Sequence, residues 1–194
     1  MKIAFSITAC AAAALAAPPS EPQTKPQVEP RLEPAPPDLS SLAPGRSRRF
    51  YVNREPNIYC PPDVSGLNCD NFNGSDTKLI INNSTATMSL DVTVPGGQQV
   101  YVAPDGSLSF TQAHSASMPP GSIVTGFSRA RSESFGAPIN LYFNNQFWYL
   151  CPVTEGPPRE RTYQIFTIAG GLEGCYGTQI RTYTPGAGNI WQYN

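Results

Sequence analysis

The segment 87–112 constrains the fold of this chain more than any other, because strand patterns and turn residues follow one another along it. Polar and apolar residues alternate over 87–94, and the apolar set is Met88, Leu90, Val92 and Val94. Such alternation is typical of a strand with one buried face and one solvated face. Pro95-Gly96-Gly97 and Pro104-Asp105-Gly106 supply the fixed φ and the positive φ of tight turns. The segment therefore predicts an antiparallel meander.

Strand patterns recur along the rest of the chain. The predicted strands are 50–53, 57–60, 77–82, 86–94, 98–103, 107–112, 139–143, 146–151, 161–168 and 178–184. Asn144-Asn145 separates two of them and predicts a hairpin, because asparagine tolerates positive φ. No window shows a convincing helical period. We therefore predict an all-β fold, either an antiparallel β-sandwich or a closed barrel of about eight to ten strands, as a single domain over 50–194.

Residues 1–16 have the pattern of a secretory signal peptide. Lys2 gives a short positive start, an apolar run follows over 3–13, and Ala14-Leu15-Ala16 is a small-x-small cleavage site. The apolar run is too short to span a bilayer. We therefore expect a secreted protein that has no contact with the membrane once the signal is cleaved.

A proline-rich segment, 17–49, follows the signal peptide. Its prolines are not accompanied by any apolar period, which is typical of a disordered, polyproline-like tail. The segment ends with the basic pair Arg48-Arg49. Two interpretations stay open. A dibasic protease of the secretory pathway removes a pro-segment after Arg49, or the two arginines are linker charges that water solvates.

Four cysteines remain once Cys10 leaves with the signal peptide, namely Cys60, Cys69, Cys151 and Cys175. In an oxidising compartment they indicate two disulfides, for which three pairings are possible. We favour the local pairs Cys60–Cys69 and Cys151–Cys175, because each closes a short loop that contains turn residues. Chain entropy does not decide between the pairings, since longer loops would stabilise more. The spacing does not resemble a zinc site, because no CxxC pair is present.

Acceptor triplets for N-glycosylation begin at Asn73, Asn82 and Asn83. These triplets are meaningful in a chain that enters the secretory route. We expect a glycan on Asn73 and on one residue of the adjacent pair, so these positions should be exposed.

The sequence holds no recognised arrangement for catalysis. His114 is the only histidine and could reach Asp91 or Asp105, but no nucleophile elbow accompanies it. Spacing selects no pair from the carboxylates that a glycosidase would need, which are Asp91, Asp105, Glu133, Glu155, Glu160 and Glu173. We therefore predict a protein that is not an enzyme and has no catalytic residues, no cofactor and no metal site.

Charge and aromatic content bear on the partners. The formal net charge is −1 and no basic stripe is present, so we expect no nucleic-acid partner. Aromatic residues cluster in the second half of the chain as Phe143, Phe147, Trp148, Tyr149, Tyr163 and Phe166. They either stack on sugar rings or fill the core, and the core is favoured. Expected exposed aromatics are Tyr176, Tyr183, Trp191 and Tyr193.

Three segments resemble the fungal phialide cell-wall protein family (PhiA-like). The central one runs over 90–106, from Leu90-Asp91-Val92-Thr93-Val94 to Pro104-Asp105-Gly106, and continues as Phe110-Thr111-Gln112-Ala113-His114. Phe50-Tyr51-Val52-Asn53 resembles the early strand region of the family. Cys151-Pro152, the run 162–166 and Cys175 resemble its C-terminal half.

The resemblance implies a secreted, wall-associated glycoprotein without enzymatic activity. It implies a structural or protective role in phialide and conidium formation, in sporulation and in stress protection. The partners would then be cell-wall polysaccharide or other wall proteins. The alternative is a secreted glycan-binding module or a host-directed effector.

Overall fold

The computed structural model describes residues 42–45, 47–131, 139–167, 174–182 and 188–194, with backbone alone for 42–44. The signal peptide and most of the proline-rich segment lie outside these residues. The strands are β1 (Leu42–Pro44), β2 (Phe50–Val52), β3 (Ile58–Tyr59), β4 (Leu79–Asn82), β5 (Thr87–Leu90), β6 (Gln98–Val102), β7 (Leu108–Phe110), β8 (Phe127–Arg131), β9 (Ile139–Phe143), β10 (Trp148–Pro152), β11 (Tyr163–Phe166), β12 (Tyr176–Thr178), β13 (Ile180–Thr182) and β14 (Gln192–Tyr193). In these ranges the only helical element is a 3-10 turn at Cys69–Asn71, and no helix is long and apolar enough to cross a membrane.

The strands form four antiparallel sheets. The largest has the order β1-β2-β11-β10-β12, and the meander has the order β4-β5-β6-β7. A three-stranded sheet has the order β13-β9-β8, and β14 pairs with β3. The all-β prediction is therefore confirmed, and so is the meander.

The closed-barrel alternative is wrong. Each sheet of the described chain ends in edge strands, and the meander reaches the largest sheet only through single bridges such as Arg49↔Ser109 and Ser107↔Phe166. A barrel needs a continuous ladder of strand pairs around its axis, and strands of two to five residues do not provide one here.

The described residues contain fourteen strands where about eight to ten were predicted. The single strand predicted at 178–184 corresponds to parts of two strands in the structure, the end of β12 and the whole of β13. They lie on either side of Gln179 and belong to different sheets, because β12 pairs with β10 and β13 pairs with β9. The strands β1, β8 and β14 were not predicted. All three are short or polar, so they lack the alternation from which the others were recognised.

The meander has the buried and exposed faces that its alternation predicted. Met88, Leu90 and Val94 are buried, whereas Asp91 and Thr93 are exposed. The strand pairing ends at Leu90, earlier than predicted, because the backbone then turns to the C-terminal segment. There the amides of residues 93 and 94 donate to the carbonyls of residues 190 and 191, at 2.9 and 3.0 Å.

One hydrophobic core receives side chains from all four sheets. Phe50 of β2 meets Phe110 of β7 edge to face, with ring centroids 5.4 Å apart. Tyr193 of β14 is buried against the same core. Burial of such large rings is the dominant stabilising contribution to a fold of this size.

Candidate functional site

The described residues considered for catalysis lie at exposed positions, and one of them forms an ion pair. His114 is exposed on a turn and has a positive φ of 60°. Asp105 lies in the turn between β6 and β7 and forms an ion pair with Arg49 at 3.0 Å. Asp91, Glu155 and Glu160 are exposed, while Glu133 and Glu173 lie outside the described residues. In the described part of the chain no three His, Cys, Asp or Glu side chains gather as metal ligands.

The Asp105 carboxylate is held in its charged form. Partial burial raises its pKa, but hydrogen bonds from the Ser107 hydroxyl and amide, together with the Arg49 charge, bring the pKa below its ordinary value. Stability from a lowered carboxyl pKa is present above the unfolded-state pKa and is lost as the pH falls through the folded-state value. Asp105 therefore stabilises its turn as an anion and is poorly suited to act as a general acid.

The basic pair Arg48-Arg49 lies in the β1–β2 hairpin. The Gly45 amide donates to the Arg49 carbonyl at 2.9 Å, and the Arg48 carbonyl accepts from the Phe110 amide at 2.9 Å. Arg49 also bridges to Ser109 of β7. The folded part of the chain therefore begins before the expected boundary at residue 50, and both arginines belong to it.

The structure contains the disulfides Cys60–Cys69 and Cys151–Cys175, the local pairing that the loops favoured. The first closes the loop that carries the 3-10 turn. The second joins β10, through Cys151, to the residue just before edge strand β12. The second disulfide thus fixes an edge of the largest sheet.

The glycosylation acceptors Asn73, Asn82 and Asn83 are all exposed, as attachment of a glycan requires. Asn82 also closes the turn after β4, because its Oδ1 accepts from the Ser84 amide at 3.1 Å and the Ser84 hydroxyl at 2.7 Å. Whether glycan is attached stays a prediction.

Most of the clustered aromatic residues fill the core. Phe143, Trp148, Tyr163 and Phe166 are buried, as favoured. The expected exposure of Tyr193 is wrong, because its ring is buried and its hydroxyl donates to the Asp76 carbonyl at 2.7 Å. The side chains of Trp191 and Tyr176 are half-buried, and Tyr183 lies outside the described residues.

Two members of the cluster have a different environment. Phe147 is 48% exposed and Tyr149 is half-buried. They flank Trp148, whose side chain is fully buried and donates its indole N–H to the Leu141 carbonyl at 2.8 Å. Successive side chains of a strand point to opposite faces, so the inward Trp148 places Tyr149 on the outer face of β10. Phe147, which directly precedes the strand, is exposed as well.

These two rings lie in a groove of about 490 Å³ between the β9–β10 turn with the start of β10 on one side and the edge strand β12 on the other. Besides the rings, its lining contains three carboxamides and one hydroxyl, from Asn145, Gln146, Gln179 and Thr178. Among the described residues, no charged side chain contributes to the lining. The groove therefore combines aromatic surface with neutral hydrogen-bonding groups.

Local structure explains how the groove forms. Asn144 and Asn145 both have positive φ, 49° and 59°, so the predicted turn forms here and Asn145 lies at the rim of the groove. The predicted hairpin is wrong, because β9 and β10 belong to different sheets and a single bridge, Phe143↔Gln146, joins their ends. On the other side Gly177 pairs with Tyr149, and a Cβ at Gly177 would lie 4.0 Å from the Tyr149 ring. The missing side chain leaves that ring uncovered.

In the sequence, Phe147 and Tyr149 are only members of an aromatic cluster for which the core is favoured, and this expectation is wrong for the exposed Phe147. The polar lining of the groove was not predicted. The sequence marks Asn145 only as a turn residue, and it gives no sign of a function for Gln179 or Gly177. Their contribution depends on the pairing of β12 with β10, which brings residues about thirty positions apart in sequence side by side. The run 147–150 is wholly apolar or aromatic. Polar and apolar residues do not alternate along it, so the sequence does not show which of its side chains are buried.

An all-β domain with two local disulfides defines a class of disulfide-bonded β proteins typical of secreted chains. The chain belongs to the PhiA-like secreted protein family, whose model matches residues 43–194. It is similar to an uncharacterized secreted protein of Arthroderma benhamiae, with 38% identity over 167 residues that cover 75% of this chain and 74% of the relative. No solved structure matches the chain. The family match begins within β1, so it includes the hairpin that carries the basic pair.

Proposed function

We propose that this protein is a component of the fungal cell wall with a structural and protective role in asexual development. That role covers phialide and conidium formation, sporulation and protection against stress. The observation that carries the proposal is the family match, which extends over the whole described domain. The resemblance of the central segment 90–114 to the phialide cell-wall proteins links that family to the wall.

Physical features of the domain support such a role. By chain entropy its two disulfides stabilise the fold by about 2.7 and 3.5 kcal/mol, with loops of 9 and 24 residues in sequence separation. Exposed acceptor sites for glycan would add bulk and solubility at the surface. A compact, covalently cross-linked domain suits a protein that persists outside the cell.

We also propose that the protein acts without catalysis. This is supported by the contacts of Asp105, whose carboxylate forms an ion pair with Arg49 and accepts a hydrogen bond from the Ser107 hydroxyl. Incubation of the purified protein with wall polysaccharides should release no new reducing ends. Release of reducing ends that depends on an intact carboxylate would overturn this part of the proposal.

The test of the role combines localisation with deletion. A tagged protein should be found in the wall of phialides and conidia, and a deletion strain should form fewer conidia that survive stress poorly. Complementation with the unaltered gene should restore both. Normal phialides, normal conidial numbers and normal survival in the deletion strain would contradict the proposal.

A second candidate is a secreted glycan-binding module or host-directed effector. The groove of Phe147 and Tyr149 favours the glycan-binding form, because it is exposed, aromatic and uncharged. Two results would favour this candidate over the first. The tagged protein would be found mainly in the medium, and it would bind glycans of the host rather than those of the fungal wall.

A further inference from the structure

We propose that the groove between the β9–β10 turn and β12 binds a neutral polysaccharide through the faces of its sugar rings. The inference rests on the proposed function, since it supplies the contact by which the domain would be held in the wall. The groove's uncharged lining selects the class of ligand, because a charged ligand would lose hydration there without gaining a counter-charge.

Phe147 and Tyr149 form the stacking surface. Phe147 directly precedes β10 and Tyr149 is its second residue, and both line the same groove, so the two rings can contact neighbouring units of one polysaccharide chain. The ring of Phe147 is supported from behind by Tyr142, with centroids 5.6 Å apart. The C–H-rich face of a sugar ring and an exposed aromatic ring bury apolar area against each other without a charge on either side.

Carboxamides surround the stacking surface. A carboxamide both donates and accepts hydrogen bonds, as a sugar hydroxyl does, so the two groups satisfy one another in either direction. Asn145 and Gln146 supply this chemistry from the β9–β10 turn, and Gln179 supplies it from the opposite side. The Gln179 Oε1 accepts from the Asn140 Nδ2 at 3.3 Å, which limits its rotation and leaves its amide N–H groups for a ligand.

The groove is organised before a ligand arrives. The register pairs Trp148 with Thr178 and Tyr149 with Gly177, and Cys151–Cys175 links the same two strands covalently. A site held in its binding geometry avoids the entropic cost of ordering loops on association. Weak individual contacts to a repeating polymer then become effective through many copies in the wall.

Gly177 provides a test that adds atoms rather than removing a ligand contact. Its φ is not in the left-handed region, and a Cβ there would make only ordinary contact with the Tyr149 ring. A larger side chain at 177 should therefore cover the Tyr149 ring while the sheet keeps its register. The variant Gly177→Leu blocks the groove in this way, whereas Phe147→Ala and Gln179→Ala remove its binding groups.

The experiment measures co-sedimentation of the full secreted protein with insoluble chitin, β-glucan and mannan as separate probes. The unaltered protein should sediment with at least one of them. Phe147→Ala and Gly177→Leu should weaken that binding by about tenfold or more, and Gln179→Ala by less. Tyr59→Ala is the matched control, because Tyr59 is 42% exposed on β3 and lies outside the groove lining.

Near-UV circular dichroism and thermal unfolding of each variant establish that the fold is retained. Binding to none of the three probes would overturn the inference, and so would binding that Phe147→Ala and Gly177→Leu leave intact. Capture of a wall protein that both variants abolish, without polysaccharide binding, would also overturn it and would assign the groove to a protein partner. The deletion phenotype is independent of these results, so the groove and the developmental role fail separately.

Discussion

At the scale of single residues, Gln98 connects two distant parts of the chain. It is 1% exposed, and its Oε1 accepts from the Tyr193 amide at 2.8 Å. Its Nε2 donates to the carbonyls of Tyr193 at 2.8 Å and Thr111 at 3.1 Å. One buried side chain thus satisfies three backbone groups, which a polar residue in the core must do to be tolerated.

We predict that Gln98→Ala lowers the free energy of unfolding by about 2–5 kcal/mol. The substitution leaves buried backbone donors and acceptors unpaired, and each costs about 1–3 kcal/mol. Urea unfolding monitored by tryptophan fluorescence measures the change. Gln112→Ala, at an exposed position, is the control and should alter stability by less than about 0.5 kcal/mol. Equal stability of the two variants would show that the Gln98 contacts are not formed in solution.

At the scale of elements, the β1–β2 hairpin limits the access of a protease to the basic pair Arg48-Arg49. Phe50 follows Arg49 directly and is fully buried. Gly45 packs so closely on the Tyr51 ring that a Cβ at residue 45 would lie 2.6 Å from it. A protease must bind several residues of its substrate in extended form, so it could reach the bond after Arg49 only when the hairpin opens.

We therefore predict that the folded protein resists dibasic-specific proteolysis between Arg49 and Phe50. In native buffer the enzyme should leave this bond intact, and in urea it should cleave it, because cleavage then follows the population of the opened form. Mass spectrometry of the products locates the cut. Rapid cleavage of the native protein at this bond would instead support removal of a pro-segment.

The two disulfides differ in the elements that they fix, which gives a further prediction. Replacing Cys151 and Cys175 by serine should reduce the free energy of unfolding by about 3.5 kcal/mol, and replacing Cys60 and Cys69 by about 2.7 kcal/mol. Only the disulfide Cys151–Cys175 connects β10 to the start of β12. Its loss should therefore weaken polysaccharide binding as well, whereas loss of Cys60–Cys69 should not. Urea unfolding and co-sedimentation of both double variants make the comparison. Equal binding losses would contradict the separate roles.

At the scale of the whole molecule, local patterns predicted the meander and the turn at 144–145, but they wrongly paired the two strands on either side of that turn. They could not predict how the sheets are arranged, because single bridges such as Ser107↔Phe166 depend on contacts between segments far apart in sequence. Strands β1 and β14 were missed for the same reason. Each is short and is defined by its partner rather than by alternation within its own residues.

The groove was predictable only in part. Aromatic residues were visible as a cluster, but which of them face solvent depends on the burial of Trp148, whose indole N–H donates to the Leu141 carbonyl. The polar side depends on the pairing of β10 with β12, and β12 was not placed in that sheet from the sequence. The function is proposed mainly from the family likeness, since among the residues with recognisable chemistry Asp105 is held in an ion pair and His114 lies on an exposed turn.

The contacts of β14 also have a consequence for biosynthesis. Gln98 and Tyr193 are 95 residues apart, so at synthesis rates of 5–20 residues per second the Gln98 carboxamide waits about 5–20 s for its partner. During that interval β3 also lacks its pairing strand, and the buried amide is still hydrated. The acceptor asparagines at 73, 82 and 83 emerge before this closure, so a glycan added during synthesis would be attached to a chain that has not yet completed its core.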